Sequence, residues 1–219
     1  MRRLVLLRHG QTAWNAAGRA QGHTDVPLDE RGHQQAKAAA AALSAYSPRL
    51  LWSSDLLRAR ETAAHVADET GLTAVLDARL REYAVGDNRM GLTLEEYAEQ
   101  FPEEHAHLEA GDTHLIPGRE SDAETQARML GVLADVIDLI EDGTTGVVVT
   151  HGAALRLGLA AYLGWPRSVA ATIGVLDNCS WVELVESAPR HNPGPRRWRL
   201  AAYNVRPADP DFASGPGVG

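Results

Sequence analysis

The chain has 219 residues, 21 Lys+Arg against 29 Asp+Glu and a formal net charge of −8, which suits one α/β domain with room for an insertion. The acidic balance opposes binding to nucleic acid or an anionic membrane, so an anionic ligand needs a local basic pocket. The lone cysteine, Cys179, excludes an internal disulfide, and no apolar run reaches the roughly 20 residues of a membrane span.

Leu4–Leu7 reads as a short buried strand that ends in Arg8-His9-Gly10. It is too brief, and too soon interrupted by Arg8, to be a signal peptide, and the chain reads as cytoplasmic. Gln11 to Pro27 reads as a polar loop, and Asp29 as the N-cap of a helix through the alanine-rich 36–43 stretch. Leu50–Ser53 is a second strand, Asp55 opens a helix to about Glu69, Gly71 stops it, and Leu72–Leu76 is a third strand. Residues 83–120 break the alternation. They hold one helix over Leu94–Phe101, a His/Glu-rich piece and a Pro117-Gly118 turn, read together as a lid or substrate-facing wall.

Ser121 or Asp122 caps a long helix with apolar residues at Met129, Val132, Leu133, Val136, Ile137 and Ile140, a 3.6-residue period. Val147–Thr150 is another strand, followed by a helix over Ala153–Leu163. Trp181–Val185 and Trp198–Tyr203 read as late strands, a hairpin or edge pair around a turn near Pro189–Pro195, and 206–219 as a loose tail. The alternation predicts a three-layer α/β/α sandwich with a mostly parallel sheet, one domain spanning 1–205.

Ligands of open α/β sheets bind at the carboxyl ends of strands. There Arg8 offers a planar fork for phosphate oxygens, and neutral His9 a nucleophile. Val147-Val-Val-Thr-His151-Gly152 echoes the arrangement. Four separated pieces line up: Leu7-Arg-His-Gly-Gln-Thr-Ala-Trp-Asn15, Ser53-Ser-Asp-Leu-Leu-Arg-Ala-Arg-Glu-Thr62, Leu80-Arg-Glu82 and Val149-Thr-His-Gly152.

Together these resemble the histidine phosphatase superfamily, the phosphoglycerate-mutase-like enzymes, over about residues 3 to 205. The resemblance implies that His9 is the nucleophile and Glu82 the general acid and base. It implies a phosphate clamp of Arg8, Arg58 and His151 with Asn15 as a further donor, while Gln21-Gly22 and Gly152 border the phosphate. The chemistry is coherent. Neutral His9 attacks phosphorus in line, with its other ring nitrogen fixed by a hydrogen bond, while Arg8, Arg58 and a protonated His151 spread positive charge over the equatorial oxygens. That cluster lowers the pKa of His9. The side-chain cations make a metal or other cofactor unnecessary. A small phosphorylated metabolite is the expected partner, and a homodimer is left open.

Within the superfamily the look is nearest to actinobacterial-type sugar-phosphoglycerate phosphatases. It is carried by Arg3-Leu-Val-Leu-Leu-Arg-His-Gly-Gln-Thr12, by Ser53-Ser-Asp-Leu56 with its following Arg-Ala, by Asn178-x-Ser-Trp181 and by Arg197-Trp-Arg-Leu200. This implies glucosyl-3-phosphoglycerate as a substrate.

One loop departs from the pattern. Many members carry an aromatic-Gly-x-Trp-Glu-Gly run after the acid, whereas this chain has Val85-Gly-Asp-Asn-Arg-Met-Gly91, lacking the Trp and Glu. The first alternative is a phosphoglycerate mutase using the same phosphohistidine. The Glu-Arg-x-Tyr-Gly signature of such mutases is absent from Glu82-Tyr-Ala-Val-Gly86, which favours hydrolysis. The second is an inactive phosphate-binding scaffold, opposed by the intact Arg8, His9, Arg58 and His151. Arg60 reads as solvated or paired, and Cys179 as packed rather than reactive. His105, His107 and His114 read as a solvated lid, because an i, i+2 pair does not share a helical face. His23, His33, His65 and His191 carry no partner pattern.

Overall fold

The computed structural model describes residues 1–187 and 197–207. In chain order the strands are β1 (Arg3–Arg8), β2 (Pro48–Ser53), β3 (Val75–Leu76), β4 (Thr145–Thr150), β5 (Trp181–Ser187) and β6 (Arg197–Val205). They form one sheet in the order β3-β2-β4-β1-β5-β6. The first four run parallel, while β5 and β6 close one side antiparallel. The late pair is thus an edge pair, and its connecting turn near Pro189–Pro195 lies outside the described residues.

The helices are α1 (Ala13–Ala16), α2 (Glu30–Ser44), α3 (Leu57–Thr70), α4 (Leu94–Gln100), α5 (Pro102–Ala110), α6 (Asp122–Leu139), α7 (Gly152–Tyr162) and α8 (Arg167–Ala170). The period-2 alternation of a strand divides the core between the two faces. Leu4, Leu6 and Val148 pack with Met129, Leu133 and Val136 of α6 and Leu155 and Leu159 of α7. Val5, Leu7, Val147 and Val149 pack with Ala36, Ala39 and Leu43 of α2 and Ala59, Ala63 and Val66 of α3. Helices therefore cover both faces, and β4 is buried at every position, as a β-branched central strand should be. None of the described helices is long and apolar enough to cross a membrane.

The helix starts follow local chemistry. Asp29 caps α2 by accepting from the Gly32 N–H, and Ser121, rather than Asp122, caps α6 in a reciprocal box with Glu124. Gly71 ends α3 in the left-handed region at φ 71°.

Asp55 does not open α3. The cap is Leu56, without a side-chain bond, because Asp55 instead grips Arg81 through two contacts of 2.7 and 2.6 Å. The orphan Leu57 N–H is taken by the Asp25 carboxylate at 2.7 Å, a partner too remote in sequence for a capping pattern to show. The third strand is only Val75–Leu76, since both side chains are exposed and there is no apolar face to extend it. The 11–27 loop contains the short α1, held by a Thr12–Asn15 capping box.

Residues 83–120 fold into α4, α5 and a 3-10 turn at Thr113–Leu115. The His/Glu-rich piece is α5, started by Pro102 and stopped by Gly111 in the left-handed region. The segment is pinned to the loop after α1. Ala20 and Leu92 are joined by a 3.0 Å backbone bond, Gly91 and Ala20 by a 2.9 Å one, and Arg19 holds both oxygens of Glu96. Of the tail, Arg206 pairs with Asp177, and 208–219 lie outside the described residues.

Candidate active site

The parallel strands deliver their carboxyl ends to one edge of the sheet, and the site is built there. Arg8 ends β1 and His9 follows it, Ser54 follows β2, and His151 follows β4. Gly10 lets the chain turn against the start of α2, where a Cβ would stand 2.6 Å from the Gly32 carbonyl oxygen. A cavity of about 610 Å³ opens over this edge. Arg8, His9, Asn15, Gln21, Gly22, Arg58, Glu82 and Gly152 all line it. His151 does not. Its ring is fully buried, 5.0 Å from the His9 ring between centroids.

The tautomer of His9 follows from its partner. Nδ1 stands 2.7 Å from the Gly10 carbonyl oxygen. A carbonyl only accepts, so Nδ1 carries the proton and Nε2 keeps a bare lone pair. Burial, with Arg58 and then Arg8 beside it, holds this imidazole well below its usual pKa. It is therefore neutral at pH 7.

His151 differs from the sequence expectation of a protonated clamp. Burial, then Arg58, His9 and Arg8, push its pKa well below the ordinary histidine value, so it too is neutral. Its Nε2 is 2.8 Å from Ser54 Oγ, which also accepts from the Leu56 N–H. Nδ1 of the same ring is buried without a partner among the described residues.

The guanidiniums are anchored by main-chain carbonyls rather than by carboxylates. Arg58 donates from Nη1 to Thr24 and from Nη2 to Gly22, each at 2.8 Å, and Arg8 donates to Leu176. Burial lowers both pKa values, that of Arg58 to about 10, and both remain cations. Arg8 Nε and Arg58 Nε have no partner among the described residues. A buried donor left unpaired costs about 1–3 kcal/mol, a cost the fold bears to keep both guanidiniums on the cavity.

Glu82 sits at the N-terminus of α7, where its oxygens accept from the N–H groups of Ala153 at 3.1 Å, Ala154 at 2.8 Å and Tyr83 at 3.1 Å. Asn15 spends its amide oxygen on the N–H and hydroxyl of Thr12, each at 3.1 Å, which leaves its NH₂ for a ligand. Gly22 lines the cavity, and its carbonyl orients Arg58. Gln21 is buried with its Oε1 unpartnered among the described residues, and Gly152 packs beside Arg8. Arg60 is exposed, and Cys179 is buried with its thiol pushed far up by burial, unsuited to chemistry.

Several contributors carried no separate weight in the sequence. Ser54 lies inside the Ser53-Ser-Asp motif, where attention falls on Arg58. Asn178 donates to the His9 carbonyl at 3.0 Å and to Asn15 Oδ1 at 3.3 Å. Thr62 accepts from the Gly10 N–H at 3.0 Å. His23 donates from Nε2 to the Glu82 carbonyl at 2.7 Å, a main-chain partner no pattern announces. His33 and His65 meet at 3.1 Å on the surface, and His191 lies outside the described residues. His105 stacks edge-on against Tyr97, away from any ligand cluster.

Comparison with known proteins agrees with the geometry. Residues 4–204 match the model of the histidine phosphatase superfamily (branch 1). The chain is 37% identical over 217 residues to a glucosyl-3-phosphoglycerate phosphatase of Mycolicibacterium vanbaalenii, covering 94% of this chain and 95% of that protein. It is 38% identical over 182 residues to a probable phosphoglycerate mutase GpmB of Yersinia pestis, covering 82% and 83%. A mycobacterial glucosyl-3-phosphoglycerate phosphatase solved with VO3 superposes with a TM-score of 0.81 at 36% identity, over 94% of this chain and all of that one. With that agreement in fold, motif order and site geometry, the chain belongs to the histidine phosphatase superfamily, branch 1.

Proposed function

We propose that the protein hydrolyses a small phosphomonoester through a phosphohistidine formed on His9 Nε2. The observation that carries the reading is the bond from His9 Nδ1–H to the Gly10 carbonyl at 2.7 Å, which leaves a neutral Nε2 lone pair on a cavity lined by Arg8 and Arg58. Nε2 attacks phosphorus as the bond to the leaving oxygen breaks, and the two guanidiniums stabilise the charge on the equatorial oxygens. The Asn15 NH₂ is the further donor, and the buried His151 ring stands beside His9, 5.0 Å away between centroids. Glu82 hands a proton to the leaving alkoxide, then takes one from the water that attacks the phosphohistidine. The second step returns His9 to neutrality and releases inorganic phosphate.

The likeness to sugar-phosphoglycerate phosphatases supports glucosyl-3-phosphoglycerate as substrate. The likeness to a probable phosphoglycerate mutase supports a second reading, in which the phosphohistidine returns its group to bound product. One rapid-quench experiment tests both. Labelled substrate mixed with enzyme should leave acid-labile, base-stable label on His9, and phosphate should appear with no 2,3-bisphosphoglycerate primer. Label on another residue overturns the mechanism. Isomerised product without free phosphate establishes the mutase, and phosphate binding without label makes the chain an inactive scaffold.

A further inference from the structure

Five arginines line the cavity that His9 enters, namely Arg8, Arg19, Arg58, Arg89 and Arg156. Three are accounted for. Arg8 and Arg58 act on His9, and Arg19 is held by both oxygens of Glu96 at 2.6 and 2.9 Å. Arg89 and Arg156 are different. Neither side chain has a hydrogen bond or ion pair among the described residues, and Arg89 Nε is buried without a partner. Arg89 is fixed by its position over the Tyr97 ring, 5.9 Å from the centroid, and Tyr97 is itself fully buried. The cavity's two lining carboxylates, Glu82 and Glu95, pair with neither.

The position of Arg156 says which part of a substrate it meets. Gly152, Ala153 and Arg156 lie on one face of α7, three and four residues apart, and all three line the cavity. Ala153 and Ala154 hold the Glu82 carboxylate, so Arg156 stands about one turn beyond the group that protonates the leaving oxygen. It therefore serves the leaving group rather than the phosphoryl group. Arg89 reaches the same cavity from Val85–Gly91, the loop whose sequence departs from the common family pattern.

We propose that Arg89 and Arg156 form a second anion site, which receives a carboxylate or second phosphoryl group on the leaving alcohol and so selects the substrate. The proposal rests on the hydrolase reading for its orientation and goes beyond it in naming the residues and the chemistry they demand. In a chain of net charge −8, two cations left without internal partners in a concavity are matched by charge from outside. Each guanidinium presents the planar fork that fits a carboxylate or phosphate. An alcohol phosphate lacking the second anion leaves both cations unpaired, the situation in which a polar site rejects a substrate most strongly.

The test compares matched pairs on the purified protein: D-3-phosphoglycerate against glycerol 3-phosphate, and fructose 1,6-bisphosphate against fructose 6-phosphate. The ratio of kcat/KM within a pair should exceed about tenfold in the wild type and fall about tenfold in Arg89→Gln and in Arg156→Gln. Arg156→Lys, which keeps the charge, should retain most of the preference. The pair with the larger ratio identifies carboxylate or phosphate as the natural group. A wild-type ratio near one, or a ratio unmoved by both glutamine variants, overturns the proposal. Calorimetric titration of 3-phosphoglycerate and glycerol 3-phosphate onto His9→Ala separates this from the hydrolase reading. If no phosphomonoester is turned over, that reading fails, while tighter binding of 3-phosphoglycerate that is lost on changing Arg89 or Arg156 still supports the second site. Equal binding of the two ligands overturns it.

Discussion

The floor and the wall of the cavity are built on opposite principles. The floor gathers Arg8, His9 and Arg58, with His151 beneath them, at the ends of parallel strands and the first turn of α3, each between 0% and 3% exposed except the half-buried Arg8. Its cations are aimed by backbone carbonyls, which do not compete with a ligand for charge. The wall, from Tyr83 to Glu120, is a run of short helices and turns, stitched by exposed or half-buried pairs such as Arg19–Glu96. Buried, desolvated groups are costly to rearrange, whereas surface pairs contribute little and tolerate change. The same chemistry can therefore be kept on the floor while the wall alters what is admitted.

The sharpest way to break this comparison is to remove His9, the proposed nucleophile. His9→Ala should reduce turnover of every phosphomonoester by at least about 10⁴-fold with the circular dichroism spectrum unchanged. Retained activity would end the covalent mechanism. Arg58→Gln comes next, removing a buried cation from the floor. The expected loss is about 10²–10³-fold in kcat, across substrates regardless of leaving group, and a loss confined to KM would relocate Arg58 to ground-state binding. Glu82→Gln should slow an alkyl phosphate by about 10²-fold while slowing p-nitrophenyl phosphate far less, since a nitrophenolate leaves without a proton. Equal slowing of the two places the acid elsewhere, with Asp87 the next carboxylate to test.

A fourth measurement uses pH. The folded chain holds His9 and His151 neutral, with pKa values well below 6.5. The unfolded chain takes up these protons near pH 6.5, at about the unperturbed histidine value. Below that pH the unfolded state binds more protons, so stability present at neutral pH is lost as pH falls. Denaturation midpoints should drop from pH 7 to pH 5, and less steeply in His9→Asn than in the wild type. Parallel slopes would mean that His9 is not held neutral by the fold.

The smallest effect belongs to the wall. Gly118 sits at φ 68°, and a Cβ there would meet the flexible Asp87 carboxylate. Gly118→Ala should cost about 1–2 kcal/mol and raise KM for the leaving-group-bearing substrate, leaving kcat for p-nitrophenyl phosphate nearly unchanged. A fall in that kcat would show that wall and floor are coupled.

The legibility of the two regions in the sequence differs for the same reason. Leu4–Leu7 and Val147–Val149 must be apolar to lie in a buried sheet, and a strand projects its last residues at the sheet edge, so Arg8-His9 and Thr150-His151 announce themselves. Asn15, Arg58 and Glu82 were legible through their motifs. The α5 helix was not, because its residues are exposed or half-buried and carry no apolar stripe. Nor was the role of Asp55, which looks like a cap but pairs with Arg81, 26 residues away.

By itself, then, the sequence determined the layered sheet, the edge on which the cavity sits and the Arg8-His9 pair that lines it, since local periodicity and strand ends carry that information. Only the tertiary structure decided the burial of His151, the carbonyls that aim Arg8 and Arg58, and the placing of Arg89 and Arg156 on the cavity without partners among the described residues. Those depend on burial and on partners distant in the chain, and desolvation and pairing are properties of the packed molecule rather than of any segment.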